Sequence, residues 1–514
     1  MTEVLSTNPR TGTAVHTGQR NTSPTEVDAI VRLARTAAVD LERGGRAWRA
    51  ELLEAMAAGL ETSRADIVSI ADEETALGEA RLNGELTRTC YQLRLFAEVL
   101  ADGAYLEATI DHAGDTPMGP RPDLRRMLLP LGPVAVFGAS NFPLAFSVPG
   151  GDTASALAAG CPVIAKVHES HPRTSELCAN TLRAAAASVG ALEGTISVVY
   201  GRSAGIHLVS HPDITAVGFT GSVATGRALL AALNTRPDSI PFYGELSGVN
   251  PLVVTEHAAE QRPAEIAAGL AGSYLLGGGQ FCTKPGIAFL PATPAGDQLV
   301  EDLRGSVTPA EAPVLLNENI RSSFVDGSAR LRNMPGTRVL AEGLAPEGTG
   351  FAVQPMLLGV EIGQLTDELT EECFGPLLVV ARYRDTAELT SALARLAPSL
   401  TATIHTGIPE PGLPAEVLDA LRDTAGRLIF NGFPTGVAVT WAQHHGGRWP
   451  SSNSLHTSVG PTAIRRFLRP FAWQDAPRWA LPNELRDEEQ DIVRRVDGTL
   501  HLPGSTMKEN PGDQ

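Results

Sequence analysis

The sequence predicts an α/β protein in which two α/β domains follow a helical array. At 514 residues the chain is too long for a single hydrophobic core, so we expect more than one domain. Short apolar runs alternate with helix-forming segments from Pro133 to Asn234, and a second alternation starts near Asn250. Such alternation indicates βαβ units and a parallel sheet with both faces covered.

The helical array comes first in the chain. From Glu26 to about Leu100, apolar residues recur at helical spacing, and no chemistry is evident in this segment. The polar, Pro- and Gly-rich segment from Tyr105 to Pro130 is either a linker or an extended arm.

The first α/β domain takes its strands from four apolar runs. Ligands of such sheets bind at the carboxyl ends of the strands. The predicted strands are 133–138, 162–166, 196–200 and 216–219, and the predicted helices are 153–159, 174–188 and 223–234.

The second α/β domain extends from about Asn250 to Thr440. Its predicted strands include 251–254, 286–290, 377–380 and 427–430. From Trp441 onward the chain is rich in Gly, Ser and His, with one short predicted helix at 462–467. The charged segment after Glu484 predicts a partly disordered tail.

Composition excludes several classes of function. The formal net charge of -17 argues against binding to nucleic acid or to an anionic membrane. The five cysteines are odd in number and widely spaced, which fits neither a disulfide framework nor a zinc site and indicates a reducing compartment. The N-terminal segment has no apolar region, and no stretch approaches the ~18 apolar residues of a membrane span. We therefore expect a cytoplasmic protein without a metal.

A glycine run, Gly277-Gly278-Gly279, stands shortly before Cys282. Glycines let the backbone turn sharply and leave its N–H groups free to point at a ligand on the sulfur. A thiol attacks only as thiolate, so it needs a neighbouring base or donor. The alternative is a buried structural thiol, and the glycine run favours a nucleophile.

Polar residues follow two predicted strands of the first domain. Asn141 follows the strand that ends at Gly138, where its amide is placed to donate to an oxyanion; the alternative is an Asn that stabilises a loop turn. Lys166 ends the next strand, and Glu169 follows three residues later. A cation and a carboxylate there suit the phosphates and ribose hydroxyls of a nucleotide, whereas the alternative is a surface ion pair.

Two further stretches suit a cofactor and a general base. The segment from Phe219 to Gly226 is a strand that runs into a glycine-opened helix, a junction suited to pyrophosphate although it is not a GxGxxG fingerprint. Glu245 stands between small residues before Cys282. A buried carboxylate has a raised pKa and can act as a general base.

Together these stretches resemble the aldehyde dehydrogenase superfamily, and the resemblance covers nearly the whole chain. Within the superfamily, the stretches 138–143, 145–153, 432–437 and 457–460 look like the 2,5-dioxovalerate (α-ketoglutaric semialdehyde) dehydrogenases. Six motifs stand in the family's order: Asn-Phe-Pro at Asn141, the strand-end Lys166, Phe-Thr-Gly-Ser at Phe219, Glu-Leu-Ser-Gly at Glu245, Gln-Phe-Cys-Thr at Cys282 and Glu-Cys-Phe-Gly-Pro at Glu372.

The resemblance implies NAD(P)-dependent oxidation of an aldehyde to a carboxylic acid through a thiohemiacetal and a thioester on Cys282. It implies that Asn141 and the N–H of Cys282 hold the oxyanion and that Glu245 activates the hydrolytic water. The implied cofactor residues are Glu372 and Phe374 at the nicotinamide ribose, Lys166 and Glu169 at the adenosine ribose with His168 nearby, and Gly221, Ser222 and Gly226 at the pyrophosphate.

The resemblance also implies a Rossmann-type cofactor domain of residues 1–104 and 131–247 and a catalytic domain of residues 248–440. Residues 105–130 and 441–485 are expected to form a β oligomerisation element, followed by a tail at 486–514. An arm that projects from its own domain leaves sheet edge and apolar surface exposed, so we expect a homodimer or homotetramer.

The expected substrate is 2,5-dioxopentanoate, oxidised to 2-oxoglutarate, and another aliphatic aldehyde or semialdehyde is the alternative. Arg448 is a candidate partner for the substrate carboxylate, with a surface arginine as the alternative. Glu169 favours NAD, because a carboxylate repels the 2′-phosphate of NADP. Lys166 and His168 can attract that phosphate, so use of NADP is the alternative.

A cysteine hydrolase or acyltransferase without a redox step is the rival from another class. It needs a general-base His near the thiol, and no Cys/His/Asn signature is evident. A catalytically inactive nucleotide-binding protein is a second rival. The joint presence of Cys282, Glu245 and Asn141 argues against it.

Overall fold

The structure, a computed structural model, describes residues 2–246, 248–410, 412 and 415–503, and this part of the chain contains thirteen α-helices and twenty-one strands. The helices are α1 Pro24–Thr62, α2 Arg64–Thr75, α3 Glu79–Asp102, α4 Gly151–Ala159, α5 Pro172–Ser188, α6 Arg202–Ser210, α7 Val223–Leu233, α8 Glu256–Gln261, α9 Pro263–Leu275, α10 Pro294–Val307, α11 Glu318–Arg332, α12 Thr386–Leu393 and α13 Ala415–Thr424. The strands are β1 Glu3–Thr7, β2 Ala14–Arg20, β3 Thr109–Asp111, β4 Gly114–Thr116, β5 Gly119–Arg121, β6 Leu124–Pro130, β7 Val134–Phe137, β8 Val163–Lys166, β9 Ile196–Val199, β10 Ala216–Thr220, β11 Phe242–Glu245, β12 Pro251–Val254, β13 Ile287–Pro291, β14 Arg338–Glu342, β15 Met356–Glu361, β16 Leu377–Tyr383, β17 Ser399–His405, β18 Ala425–Phe430, β19 Leu468–Gln474, β20 Arg494–Val496 and β21 Thr499–His501.

The first α/β sheet is parallel and has the strand order β11-β10-β7-β8-β9. Strands β7 and β9 are buried along their whole length, because helices cover both faces of the sheet. The carboxyl ends of β7, β8, β10 and β11 meet at one edge, which brings the segments after Phe137, Lys166, Thr220 and Glu245 together. The predicted α/β fold class is confirmed.

The helical array is formed by α1, α2 and α3, which pack against the first sheet. Ser23 and Glu26 cap α1 reciprocally, and Gly45, with a φ of 74°, interrupts it. The segment before α1 forms a hairpin, β1 paired with β2, that the sequence analysis does not predict.

The second sheet has the order β14-β15-β16-β13-β12-β17-β18, and its strands are parallel except for β14. Its two faces pack against separate hydrophobic clusters. The predicted strands of the second region correspond to β12, β13, β16 and β18.

The Pro- and Gly-rich segment before residue 131 is an extended arm rather than a linker. Its strand β6 pairs antiparallel with β19, from Leu124 opposite Gln474 to Pro130 opposite Leu468. The predicted helix before β19 is a 3₁₀ helix, Pro461–Phe467. The predicted tail contributes the hairpin of β20 and β21, and its residues 504–514 lie outside the described residues. The predicted domain limits stay a prediction.

No helix among residues 2–246, 248–410 and 415–503 is long and apolar enough to cross a membrane. The same residues hold no group of three or more His, Cys, Asp or Glu side chains arranged for a metal ion.

Candidate active site

Cys282 follows a tight turn built from the three consecutive glycines. Gly277, Gly278 and Gly279 have φ angles of 57°, 69° and 67°, a region that favours glycine. A Cβ on Gly279 would lie 2.2 Å from the carbonyl oxygen of Gly375, so the close approach of two backbones also requires glycine there. Cys282 is partly exposed, whereas the other four cysteines are buried. The turn thus presents one thiol of the five.

His445 is the neighbour of Cys282 that the sequence analysis missed. Its Nε2 lies 3.7 Å from Sγ of Cys282. The backbone N–H of His445 donates to Oγ1 of Thr457 at 2.8 Å, which fixes the loop that carries the ring. The sequence shows no Cys/His/Asn signature, yet the fold places a histidine beside the thiol. The two residues are 163 positions apart, and no local pattern links them.

The proton on this pair resides on sulfur at neutral pH. Burial, with the charges of Glu245 and Glu372, raises the pKa of the Cys282 thiol to about 12, and Arg88 opposes this shift. Burial and the positive charges of Arg427 and Arg88 lower the pKa of His445 to about 3. Thiol and imidazole are both neutral, so the imidazole can accept the thiol proton only as the sulfur forms its new bond.

Glu245 ends the edge strand β11 and is buried. Its Oε1 accepts from Oγ of Ser452 at 3.3 Å, and its Oε2 has no hydrogen-bond partner in the part of the chain that the structure describes. Burial raises the pKa of Glu245 to about 8, and Arg466 opposes this shift. The deprotonated form of Glu245, a minority at neutral pH that increases as the pH rises through 8, can take a proton from water.

The segment 444–453 supports both Cys282 and Glu245. It carries His445 beside the thiol and Ser452 beside the carboxylate. Its Ser451 carbonyl accepts from the N–H of Leu246, and its Asn453 accepts from the N–H of Gly244 at 2.8 Å. Both strand neighbours of Glu245 are thereby fixed to this loop, which the sequence analysis assigned to an oligomerisation element.

Asn141 lies beside the turn that carries Cys282. The residue is buried, and its Nδ2 donates to the carbonyl of Gln280 at 2.7 Å. The backbone carbonyl of Asn141 accepts a hydrogen bond from the side chain of Arg81 at 2.6 Å. An amide nitrogen carries two hydrogens, so the second remains for a substrate oxygen. By contrast, Arg448 is exposed and donates to the carbonyl of Asp423.

Lys166 and Glu169 lie together at the carboxyl end of β8. Nζ of Lys166 is 3.9 Å from Oε1 of Glu169, and the lysine side chain is only 13% exposed. Arg202, the first residue of α6, places Nε 3.5 Å from the same oxygen, and the sequence analysis missed it. Burial and the neighbouring His171 and Lys166 hold the pKa of His168 well below 6.5, so its ring brings no positive charge to this place.

The junction of β10 and α7 is a strand end followed directly by a capped helix N-terminus. Ser222 caps α7 and accepts from the N–H of Thr225 at 3.3 Å. A Cβ on Gly226 would lie 2.6 Å from Leu246, so the helix approaches its neighbour closely. The N–H of Gly221 donates to the carbonyl of Glu245 at 3.0 Å. Helix N-termini bind anions, and the strand-end cation Lys166 belongs to the same sheet edge, so these residues fit a dinucleotide.

Glu372 and Phe374 lie in the loop before β16, and the charge of Glu372 acts on Cys282. Lys284 stabilises this loop through three hydrogen bonds. Its Nζ is buried and donates to the carbonyls of Cys373, Gly375 and Leu377 at 2.9, 3.2 and 3.0 Å. The loop and the nucleophile turn are therefore fixed to each other.

The chain is similar to a known protein family over most of its length. The profile of the aldehyde dehydrogenase family matches residues 2–470. The chain is 44% identical over 463 residues to alpha-ketoglutaric semialdehyde dehydrogenase 2 of Azospirillum brasilense, covering 88% of both chains. It is 41% identical over 481 residues to alpha-ketoglutaric semialdehyde dehydrogenase of Acinetobacter baylyi, covering 92% of this chain and 91% of the relative.

Solved structures show the same fold at lower identity. One is the 1-pyrroline-5-carboxylate dehydrogenase from Thermus with bound NAD, with a TM-score of 0.79, 21% identity and coverage of 92% of this chain and 90% of the other. Another is an aldehyde dehydrogenase-like protein from Burkholderia cenocepacia, with a TM-score of 0.78, 21% identity and coverage of 93% and 95%.

Proposed function

The chain belongs to the aldehyde dehydrogenase family, whose members are NAD(P)-dependent oxidoreductases that convert aldehydes to carboxylic acids, and we propose that it oxidises 2,5-dioxopentanoate to 2-oxoglutarate. The two curated relatives, both named for α-ketoglutaric semialdehyde, support this substrate. The geometry of Cys282 and Glu245 supports the chemistry, because one supplies a nucleophile and the other a base for hydrolysis.

The first half-reaction uses Cys282, His445 and Asn141. Sγ of Cys282 attacks the aldehyde carbon while its proton passes to Nε2 of His445, 3.7 Å away. The carbonyl oxygen becomes an oxyanion that accepts hydrogen bonds from Nδ2 of Asn141 and the N–H of Cys282. The carbon is now tetrahedral and can release a hydride. NAD(P), when bound, supplies the nicotinamide that accepts this hydride.

The second half-reaction uses Glu245. Loss of the hydride leaves a thioester on Cys282, and the free Oε2 of the deprotonated Glu245 takes a proton from water as the water oxygen attacks the carbonyl carbon. The bond between carbon and sulfur then breaks and the acid leaves. The sulfur recovers its proton from His445, and Glu245 releases the proton of the water to solvent. The same carboxylate that raises the pKa of Cys282 thus removes the acyl group from it.

The observation that carries this function is that a buried carboxyl with a raised pKa accompanies a partly exposed thiol presented by a glycine turn. The test is a spectrophotometric assay of the purified protein with NAD and NADP against an aldehyde panel. We expect 2,5-dioxopentanoate to give the highest kcat/KM and 2-oxoglutarate as product. A clear preference for an uncharged aldehyde would contradict the substrate.

His445 beside Cys282 also fits a cysteine hydrolase. That rival accounts for neither the nucleotide-compatible edge of the first sheet nor the family match. The same assay separates the two, because a hydrolase produces acid from an ester or thioester and no reduced cofactor from an aldehyde.

We propose NAD as the preferred cofactor, with NADP as the alternative. Glu169 supports NAD, since its carboxylate can accept from a free ribose hydroxyl and repels a phosphate. Arg202 and Lys166, both within 4.0 Å of that carboxylate, support some use of NADP.

We also propose a homodimer or homotetramer in the cytoplasm. Strand β19 is an edge strand, and it exposes Phe471, while Trp479 nearby in the chain is 83% exposed. A partner copy can cover this edge. Light scattering of the purified protein tests the assembly. The odd number and wide spacing of the five cysteines favour a reducing compartment.

A further inference from the structure

Arg88 lies on α3 against the ring of Phe146, which in turn lies beside His445 and Cys282. We propose that its guanidinium binds the carboxylate of the substrate and selects anionic aldehydes. This inference rests on the proposed function, because it concerns the end of the substrate opposite the aldehyde.

The two terminal nitrogens of Arg88 are buried without a hydrogen-bond partner among the described residues. Both of its terminal nitrogens are inaccessible to solvent and make no hydrogen bond to any described residue. Buried polar groups in folded proteins are nearly always hydrogen-bonded, so two unpartnered terminal nitrogens call for a ligand. Two parallel N–H donors match the two oxygens of a carboxylate.

Nearby contacts place Arg88 beside the reacting atoms. Its Cζ lies 4.9 Å from the centre of the Phe146 ring, and that ring lies 6.2 Å from the ring of His445. His445 in turn contacts Cys282. The charge of Arg88 is close enough to act on both the thiol and the imidazole. A ligand held by Arg88 therefore extends along Phe146 toward the sulfur.

The other arginines near the nucleophile are committed elsewhere. Arg427 donates through both terminal nitrogens to the carbonyls of Gly436 and Pro434, at 3.1 and 2.9 Å. Arg81 donates to the carbonyl of Asn141 and packs over two phenylalanine rings. Arg88 alone among these three has both terminal nitrogens available.

Glu85, one turn before Arg88, does not take the place of a ligand. Its Oε1 accepts from the N–H groups of Leu144 and Ala145, at 2.8 and 2.9 Å, and it makes no hydrogen bond to Arg88. Glu85 therefore supports the 142–146 loop, and although its charge acts on Arg88, it leaves both terminal nitrogens without a hydrogen bond. The apolar side chains of Leu95, Val439 and Val459 pack with Phe146 and suit the methylene groups of a short aliphatic chain.

The test compares an anionic aldehyde with an uncharged one of equal length. For Arg88→Gln we expect kcat/KM with 2,5-dioxopentanoate to fall about 10- to 100-fold, which is the effect of losing hydrogen bonds between charged groups. We expect kcat/KM with pentanal to change less than about threefold, because pentanal has no carboxylate. The inhibition constant of 2-oxoglutarate should rise by a similar factor. Arg94→Gln is the matched control on the same helix, because Arg94 pairs with Glu54 and Glu61. This variant should leave kcat/KM unchanged with both aldehydes.

An equal loss with both aldehydes would overturn the proposal, because Arg88 would then act on Cys282 or on the fold and not on the carboxylate. Arg88→Lys keeps the charge without the paired donors and should recover part of the preference for the anionic aldehyde. The Lys variant also tests the proposal if the Gln variant fails to fold. Succinic semialdehyde and butanal form a second pair. If the wild-type protein prefers succinic semialdehyde to 2,5-dioxopentanoate, the proposed substrate is wrong. The Arg88 proposal is then decided by the second pair alone: Arg88→Gln should lose the preference for succinic semialdehyde over butanal, and a retained preference would contradict it.

Discussion

Nε2 of His445 lies 3.7 Å from Sγ of Cys282, although the two residues are separated by most of the second sheet in the chain. Burial keeps the imidazole neutral throughout the physiological range, so in the proposed mechanism it accepts the thiol proton only as the sulfur forms its new bond. The proposed nucleophile therefore lies against a loop that follows the last strand of that sheet.

Replacing His445 should slow formation of the thioester. For His445→Asn we expect the burst of reduced cofactor to be about 10² times slower, the lower end of what a general base contributes. Stopped-flow absorbance measures the burst, and His444→Asn, which changes the neighbouring imidazole, is the control. Because the pKa of His445 lies at about 3, the wild-type burst should show no break near pH 6.5. An unchanged burst in His445→Asn would remove this residue from the mechanism.

Replacing Cys282 should abolish oxidation without loss of the cofactor. In Cys282→Ser we expect less than a few per cent of wild-type turnover, while NAD binding measured by fluorescence is retained. Cys178→Ala is the control, because burial raises the pKa of Cys178 and holds it as an unreactive thiol. In the wild-type protein a brief exposure to iodoacetamide should modify Cys282 first, as mass spectrometry of the peptides can show. Substantial turnover in the Ser variant would refute the assignment.

Replacing Glu245 should separate the two half-reactions. For Glu245→Gln we expect a burst of one reduced cofactor per active site, followed by turnover reduced about 10²- to 10⁴-fold. Since the pKa of Glu245 is raised to about 8, the base form increases as the pH rises through 8, and wild-type hydrolysis should increase with it. The Gln variant should lack this rise. Loss of the burst as well would mean that Glu245 activates the thiol.

The sequence predicts the strands of the two sheets because buried parallel strands are short apolar runs. The placement of Asn141 and Lys166 could be predicted because the ends of neighbouring parallel strands meet at one edge, whereas Glu245 is indicated only by its small neighbours, since no strand is predicted there. His445 could not, because it stands in a loop without periodicity and reaches Cys282 only through tertiary packing. Arg88 could not be predicted either, because an arginine in an amphipathic helix is expected on the exposed face. Its terminal nitrogens are buried only because α3 packs on the 142–146 loop.

The cofactor preference should depend on Glu169. For Glu169→Ser we expect the ratio of kcat/KM with NADP to kcat/KM with NAD to rise about tenfold, because removal of the carboxylate leaves Lys166 and Arg202 to attract the 2′-phosphate. Steady-state kinetics with each cofactor measures the ratio, and Glu176→Ser, on the following helix, is the control. A wild-type enzyme that clearly favours NADP, or an unmoved ratio in the variant, would show that Glu169 does not contact the ribose.

Lys284 should matter for stability more than Lys166 does. For Lys284→Met we expect the free energy of unfolding to fall by about 3 kcal/mol, because three buried carbonyls lose their donor. Urea denaturation measures this loss. Lys166→Met should change stability little and weaken cofactor binding instead, because Lys166 faces the nucleotide-compatible edge. An equal loss in the free energy of unfolding of the two variants would show that the three hydrogen bonds of Lys284 do not make it more important for stability than Lys166.

The hydrogen bond from Gly221 to the carbonyl of Glu245 joins the turn proposed for the pyrophosphate to the proposed hydrolytic base through a single strand pairing. Substitutions in this turn that alter coenzyme binding would therefore also displace the residue proposed to release the product. A selection that scores one round of coenzyme reduction would accept variants that stop as acylated enzymes. Screens on this scaffold need to score continuous release of acid.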